Sequence, residues 1–329
     1  MATTTTTVPS ASPVSGSRSF LSRLRDGDEI ARAVTFLFAA SVVVVTLLLV
    51  FELWQGSALP RHKFGFGFFL TRVWDPIFEQ FGALPFIYGT IVTAVVSLLI
   101  AVPLGIGAAI FLAELAPARV SDTLEFFIDL LAAVPSVIYG LLGVFIIIPL
   151  MREVVQPALK NTLGFLPLFQ GPMYGIGFLT AGIVLAVMVI PYIISVSREV
   201  LLSVPRDQRE AALALGSTRW ESTWKVVVPF ARTGIMGSIF LALARALGET
   251  MAVTMVIGNT PTISASLFSP GYSIAAVIAN EFTEATGDLY LQSLIELGLV
   301  LFLITFILNG LARLLIVVTS QRGSGMGHA

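Results

Sequence analysis

The sequence predicts an all-α membrane protein that crosses the bilayer six times. Three observations point there. Of 329 residues, 56% are hydrophobic and 12% charged, with a mean hydropathy of +0.91, whereas a soluble domain stands nearer half apolar and a quarter charged. Apolar runs long enough to cross about 30 Å of hydrocarbon occur six times. The basic residues between those runs are unevenly shared, as membrane insertion requires.

The elements follow in chain order. Residues 1–17, MATTTTTVPSASPVSGS, are low-complexity, and 1–32 read as a disordered cytoplasmic tail. The first span, near 33–53, follows Arg18, Arg23, Arg25 and Arg32 and lacks a small-residue cleavage site, so it reads as a retained signal-anchor helix. An extracytoplasmic segment over 54–85, including FGFGFFL, is expected to lie amphipathic or packed along the outer surface. Five further spans are placed near 86–112, 127–150, 174–196, 233–257 and 291–318, so that 86–318 forms one transmembrane domain. Residues 319–329 are left as a cytoplasmic tail. Pro103, Pro135 and Pro191 fall inside spans and predict kinks that a surrounding bundle re-satisfies. Gly105, Gly107, Gly140 and Gly143 predict close helix approach.

Orientation comes from the lysines and arginines. Thirteen of the 19 fall in the N-terminal tail, in the second and fourth loops and at the C-terminal end (Arg313, Arg322), five fall on the other side, and Arg245 alone lies deep within a span. Both termini are therefore expected in the cytoplasm. Several function classes are excluded. A net charge of −1 leaves no basic surplus for nucleic acid. With no cysteine and only His62 and His328, neither a thiolate nor a histidine metal site is expected. No lysine of the three, Lys63, Lys160 and Lys225, precedes Ser or Thr, so the chain has no Walker A motif. No cofactor and no catalytic residues are expected.

The most polar internal segment is SVPRDQREAALALGSTRWESTWKVVVP, residues 203–229. Ser203 is expected to N-cap a helix with Pro205 in its first turn, and Gly216 to close it at positive φ. Thr218 and Glu221 then form a capping box, and Pro229 is expected to end this second helix. Ala211 and Ala212 are expected on the hairpin surface.

EAALALG, nine residues and then VVVP resemble the EAA loop of bacterial ABC-importer permeases, E-A-A-x-x-x-G-x9-I-x-L-P. Glu210, Ala211, Ala212, Gly216 and Pro229 match in place. Leu215 replaces a frequent acidic residue, and Val226 and Val228 stand for Ile and Leu. LPFIYGTIVTAVVSLLIAVPLGIGAAIFLAELAP at 84–117, VPSVIYGLLG at 134–143 and RALGETMAVTMVIGN at 245–259 are similar to the phosphate-importer permeases of the PstC type. That resemblance covers nearly all of residues 20–320. It implies a type I ABC importer permease fold in the bacterial plasma membrane. It implies that Glu210, Ala211, Ala212 and Gly216 form a coupling helix docked on a cytoplasmic ABC ATPase dimer of the PstB type. It also implies a second permease (PstA type), an extracytoplasmic phosphate-binding protein (PstS type), inorganic phosphate as substrate, and contact with membrane lipids.

Arg245 and Glu249 lie inside the apolar run TGIMGSIFLALARALGETMAVTMVI. In a span over 233–257, residue 245 is about 18 Å from either end, too deep to snorkel. Glu249 follows four residues on, so the two are expected to pair on one helix face, with Ser238, Ala242, Gly248 and Ala252 nearby. Two readings stand at this point. In one the pair only fixes packing. In the other Arg245 offers a transient counter-charge to a crossing oxyanion, Glu249 neutralises it between cycles, and Thr250 and Thr254 add hydroxyl donors. The acidic Glu281, Glu284 and Asp288 are expected to form a solvated outer face. Competing functions are an ABC permease for another oxyanion, or an ion-coupled secondary carrier using the pair as a proton relay.

Overall fold

The computed structural model describes residues 28–324, with side chains over 29–314. The expected tail over 1–27, Arg18, Arg23, Arg25 and His328 lie outside the described residues. The chain divides into two compact units, one up to Glu52 and one from Leu53 onward.

Helix α1 (Asp28–Gly56) begins four residues before the end of the expected tail. Through the first unit the helix is apolar on every face, the pattern of a membrane span. In the second unit α2 (Ala58–Phe64), α3 (Gly67–Leu70) and α4 (Leu84–Leu115) come next. Then follow α5 (Ala118–Ala132), α6 (Ser136–Leu163) and α7 (Phe178–Leu202). After α8 (Arg206–Ala214) comes α9 (Arg219–Gly248), and then α10 (Met251–Ile257), α11 (Ile274–Glu281) and α12 (Asp288–Ser324). Six of these, α1, α4, α6, α7, α9 and α12, are long and apolar enough to cross a membrane. Helix α12 runs past residue 318 to Ser324, so the expected C-terminal tail begins as helix.

Helix α7 is the axis of the bundle, with α4 packed along it. At Gly182 an added Cβ would stand 2.7 Å from Val96 Cβ, and at Gly105 2.9 Å from Ile193 Cβ. Only hydrogen fits at these two crossings, so α4 and α7 approach backbone to backbone. Around them Phe178, Leu185, Met188, Val189, Ala242, Leu247, Val253 and Ile257 form one buried core.

Two span boundaries depart from expectation. The run placed at 127–150 is two helices, α5 and α6. Pro135 sits between them as N-cap of α6 with ψ 140°, so it starts a span instead of kinking one. Its ring also disfavours helical geometry at Val134. Helix α5 is amphipathic and stays outside the span. In the other case Pro229 does not end a helix. The chain stays helical from Arg219 through to Gly248, with a π-turn over Thr223–Val227 just ahead of the proline.

That pairing recurs. The π-turns Phe111–Leu115, Gly143–Ile147, Met151–Val155 and Thr223–Val227 each end two residues before a proline, Pro117, Pro149, Pro157 and Pro229. A proline ring collides with the carbonyl four residues back and offers that carbonyl no N–H. Those carbonyls belong to Ala113, Phe145, Glu153 and Lys225, the middle residue of each widened turn. At Pro149, Pro157 and Pro229, where the helix continues, the π-turn opens it at the point of collision; at Pro117 the helix has already ended, with Ala116 extended (ψ 142°).

At the end of the bundle where α7 begins, the 258–273 segment is stitched back. Gly177 N–H donates to Val256 O (3.1 Å), Leu179 N–H to Leu267 O (2.9 Å) and Ile274 N–H to Thr90 Oγ1 (2.9 Å). Glu281 is not on a solvated face: its Oε2 accepts from Trp74 Nε1 at 2.8 Å and from Tyr290 OH at 2.7 Å. This ties the 57–83 segment to α11 and α12, with Phe68, Phe81 and Phe86 buried beneath.

Candidate functional site

Two groups of residues carry chemistry, one deep in the bundle and one on the polar hairpin. Arg245 lies three residues before the end of α9. At Glu249 the backbone turns extended (φ −71°, ψ 129°), and α10 starts only at Met251. Arg245 and Glu249 therefore do not share a continuous helix, and the expected pair does not form. Glu249 Oε1 accepts the N–H of Ala252 at 3.2 Å, at the start of α10. The Arg245 guanidinium carbon instead stands 4.1 Å from the centre of the Tyr192 ring, and its Nε is buried without a hydrogen-bond partner. No carboxylate pairs with Arg245 among the described residues.

The depth of Arg245 is read from α7. Tyr192 is 14 residues from Phe178 and ten from Leu202, so at 1.5 Å per residue it lies about 21 Å and 15 Å from the two ends. Arg245 is thus well inside the span although its own helix ends close by. Of its expected neighbours, Ser238, Ala242 and Ala252 are buried against the bundle, with Ser238 Oγ 2.7 Å from Ser197 Oγ. Gly248 faces open space. Thr250 and Thr254 direct their hydroxyls to backbone, to Gly248 O (3.3 Å) and Thr250 O (2.7 Å).

Sequence reasoning missed two tyrosines. Tyr192 OH donates to Ala132 O at 2.9 Å and Tyr139 OH to Leu131 O at 2.7 Å. Both bind the last carbonyls of α5, groups that a helix end leaves without internal partners. A tyrosine in an apolar run carries one weak signal, a hydroxyl that must find an acceptor when buried.

The hairpin is built from two helix ends. Helix α8 starts at Arg206 with Pro205 as its N-cap residue, because Ser203 turns its hydroxyl back to Val200 O at 2.7 Å. It closes at Gly216 (φ +87°): Gly216 N–H donates to Leu213 O at 2.9 Å and Ser217 N–H to Ala212 O at 3.2 Å. These two bonds make a Schellman motif. Thr218 and Glu221 form the expected capping box, with Glu221 N–H donating to Thr218 Oγ1 at 3.2 Å and Thr218 N–H to Glu221 Oε2 at 3.0 Å. Glu210, Ala211 and Gly216 are exposed, while Ala212 is 7% exposed and faces inward, against expectation. Leu215 stands out at 89% exposure.

Beneath this surface lies an ion pair that the sequence did not reveal. Arg209 Nη2 is 2.8 Å from Glu114 Oε1, at the end of α4, and the same guanidinium donates to Leu201 O (2.7 Å) and Val204 O (2.5 Å). Helix α8 is thereby fixed to the ends of both α4 and α7. The available signal was a lone acid closing an apolar span, in FLAELAP, opposite a basic loop.

The family model described as "Binding-protein-dependent transport system inner membrane component" matches residues 101–317. A Mesorhizobium japonicum protein named phosphate transport system permease protein PstC is 48% identical over 290 residues, 86% of this chain and 89% of the relative. A Xylella fastidiosa protein of the same name is 46% identical over 330 residues, 97% and 99% of the two chains. A solved structure of the MetNI methionine ABC transporter in inward-facing form has a TM-score of 0.45 at 19% identity. It covers 70% of this chain and 93% of that one.

Proposed function

Because the chain belongs to the family of binding-protein-dependent transport system inner membrane components, we propose that it is the permease subunit of an ATP-driven ABC importer that carries inorganic phosphate across the plasma membrane. The observation that carries this reading is the 48% identity to a relative named for phosphate transport, over 86% of the chain. The protein is a multi-pass transport subunit and not an enzyme; ATP hydrolysis belongs to a partner. The proposed partners are a PstB-type ATPase dimer, a PstA-type permease and a PstS-type binding protein. The exposed Glu210, Ala211 and Gly216 form the docking face for the ATPase, with Ala212 packed behind them. Both termini and the 203–229 hairpin lie in the cytoplasm, and the Trp74–Glu281–Tyr290 end lies outside.

Arg245 is the counter-charge on the phosphate path. Its support is its depth, its lack of a carboxylate partner and an unpartnered Nε. A guanidinium presents paired donors to tetrahedral oxygens, and in a low-dielectric setting its charge acts strongly on an anion.

The test is uptake of radiolabelled phosphate in proteoliposomes holding the chain with the three partner types and ATP. ATP-dependent phosphate accumulation is expected. A fully assembled complex that accumulates molybdate or sulfate but not phosphate overturns the substrate. Orientation is read with an impermeant thiol reagent, since the chain has no cysteine of its own. Labelling of Ser217→Cys from outside intact cells reverses the assignment.

A further inference from the structure

Arg245 is held by an aromatic ring where a carboxylate was expected, and that ring is itself tied down. We propose that Tyr192 positions Arg245 for the anion: its ring face seats the guanidinium, and its hydroxyl anchors the ring to the end of α5. This inference rests on the reading of Arg245 as a residue of the phosphate path.

The choice of a ring has a chemical consequence. A carboxylate beside Arg245 would occupy its donors and confront an arriving anion with a full negative charge. A ring face attracts the cation through its quadrupole and accepts none of the donors in a conventional hydrogen bond. The guanidinium is then held in place, 4.1 Å over the ring, with its buried Nε still without a partner. Glu249 does not compete, because the helix breaks at Glu249 (φ −71°, ψ 129°) and its carboxylate turns to the Ala252 N–H.

The hydroxyl explains why the ring stays put. Three residues of α7 at three-residue steps grip α5 in antiparallel order. Tyr192 OH reaches Ala132 O (2.9 Å), Ser195 Oγ reaches Asp129 Oδ1 (3.3 Å), and Arg198 pairs with Glu125 and donates to Ser121 Oγ (3.3 Å from Nη2). Steps of three keep the three side chains near one helix face. Tyr139 caps the neighbouring carbonyl of Leu131. At the other end of the same ladder α7 leads into α8, whose Arg209 binds the carbonyls of Leu201 and Val204. The seat of Arg245 thus belongs to the same clamped pair of helices that carries the ATPase-docking hairpin.

The experiment uses the complete transporter in proteoliposomes, with phosphate uptake and basal ATP turnover expressed per assembled complex. Tyr192→Leu removes the seat, and maximal uptake per assembled complex is expected to fall roughly tenfold. Tyr192→Phe keeps the ring and loses only the anchor, and is expected to fall between Leu and the parent. Trifluorophenylalanine at the same position has nearly the shape of phenylalanine but a ring face stripped of negative potential. It is expected to drop to the Leu level, an outcome that mere packing does not give. Equal uptake with phenylalanine and trifluorophenylalanine overturns the proposal, and this pair decides the matter even if the Leu variant fails to assemble. Arg245→Gln is the control for the underlying reading. If it transports at the parental rate, the path assignment itself is lost. If it is dead while Tyr192→Leu is parental, only the role of Tyr192 is lost.

Discussion

Arg209 and Arg245 are both half-buried arginines, and the protein treats them in opposite ways. Arg209, where the hairpin meets the bundle, has Glu114 and two backbone carbonyls on its guanidinium. Arg245, deep in the bundle, has a ring face and a vacant Nε. A closed set of partners fixes helices against one another at little gain in net stability. An open set leaves a donor with no hydrogen-bond partner. On the proposed reading of Arg245, what a cation's donors lack separates a structural arginine from a working one, since depth alone does not.

The largest expected effect breaks the open site. Arg245→Gln keeps donors but removes charge, and phosphate uptake is expected to fall to background. No ion is orphaned among the described residues, because none of their carboxylates pairs with Arg245, so complex yield is expected to stay parental. A loss of yield matching the loss of uptake puts Arg245 in the same structural class as Arg209.

The closed site is expected to fail differently. Arg209→Ala leaves the largely buried Glu114 without its cation, a cost of about 3 kcal/mol, seen as a lower Tm and lost ATPase association. Arg209→Met with Glu114→Leu is expected to recover most of the Tm without restoring the register of α8. If Arg209→Ala leaves the Tm unchanged, the pair is not a structural clamp. Gly216→Val tests the same hairpin more gently. Its φ of +87° costs a β-branched residue about 1 kcal/mol or more, and ATPase pull-down is expected to weaken with insertion intact. Normal transport by this variant removes the hairpin from any coupling role.

The smallest effect separates the structure from the expectation of a buried pair. Glu249→Gln retains an oxygen for the Ala252 N–H, so uptake is expected to stay close to parental. A pair that released Arg245 on neutralisation would instead slow transport by retaining the anion. Slow release of phosphate from Glu249→Gln, measured in a single-turnover assay, restores the pair.

Some of this was legible in the residues and some was not, for physical reasons. Apolar length gave the number of spans because hydrocarbon thickness is a long-range constraint, while local chemistry such as Pro135 moved their ends. Gly216, Thr218 and Glu221 were legible because caps are settled within four residues. The break after Gly248 was not, since nothing in LGETMAV forbids a helix; it is set by packing of α10 against α6, where Gly140 approaches Ala252 closely. The division of α5 from α6 was hidden because Phe126, Phe127, Leu130 and Leu131 extend the apolar pattern across it. Tyr192 was invisible as a functional residue because its role exists only where three helices meet.

The four π-turns carry a consequence for phase. Each adds one residue to a turn, and one residue is about 100° of rotation on a helical wheel. Helix α6 holds two, so its last stretch is turned by about 200° from where an unbroken wheel drawn from Ser136 puts it. A face assigned to that span by periodicity is therefore sound only between consecutive bulges. Each proline within α6 and α9 acts as a phase mark, and losing one of them together with its bulge would re-aim every side chain beyond it by about 100°.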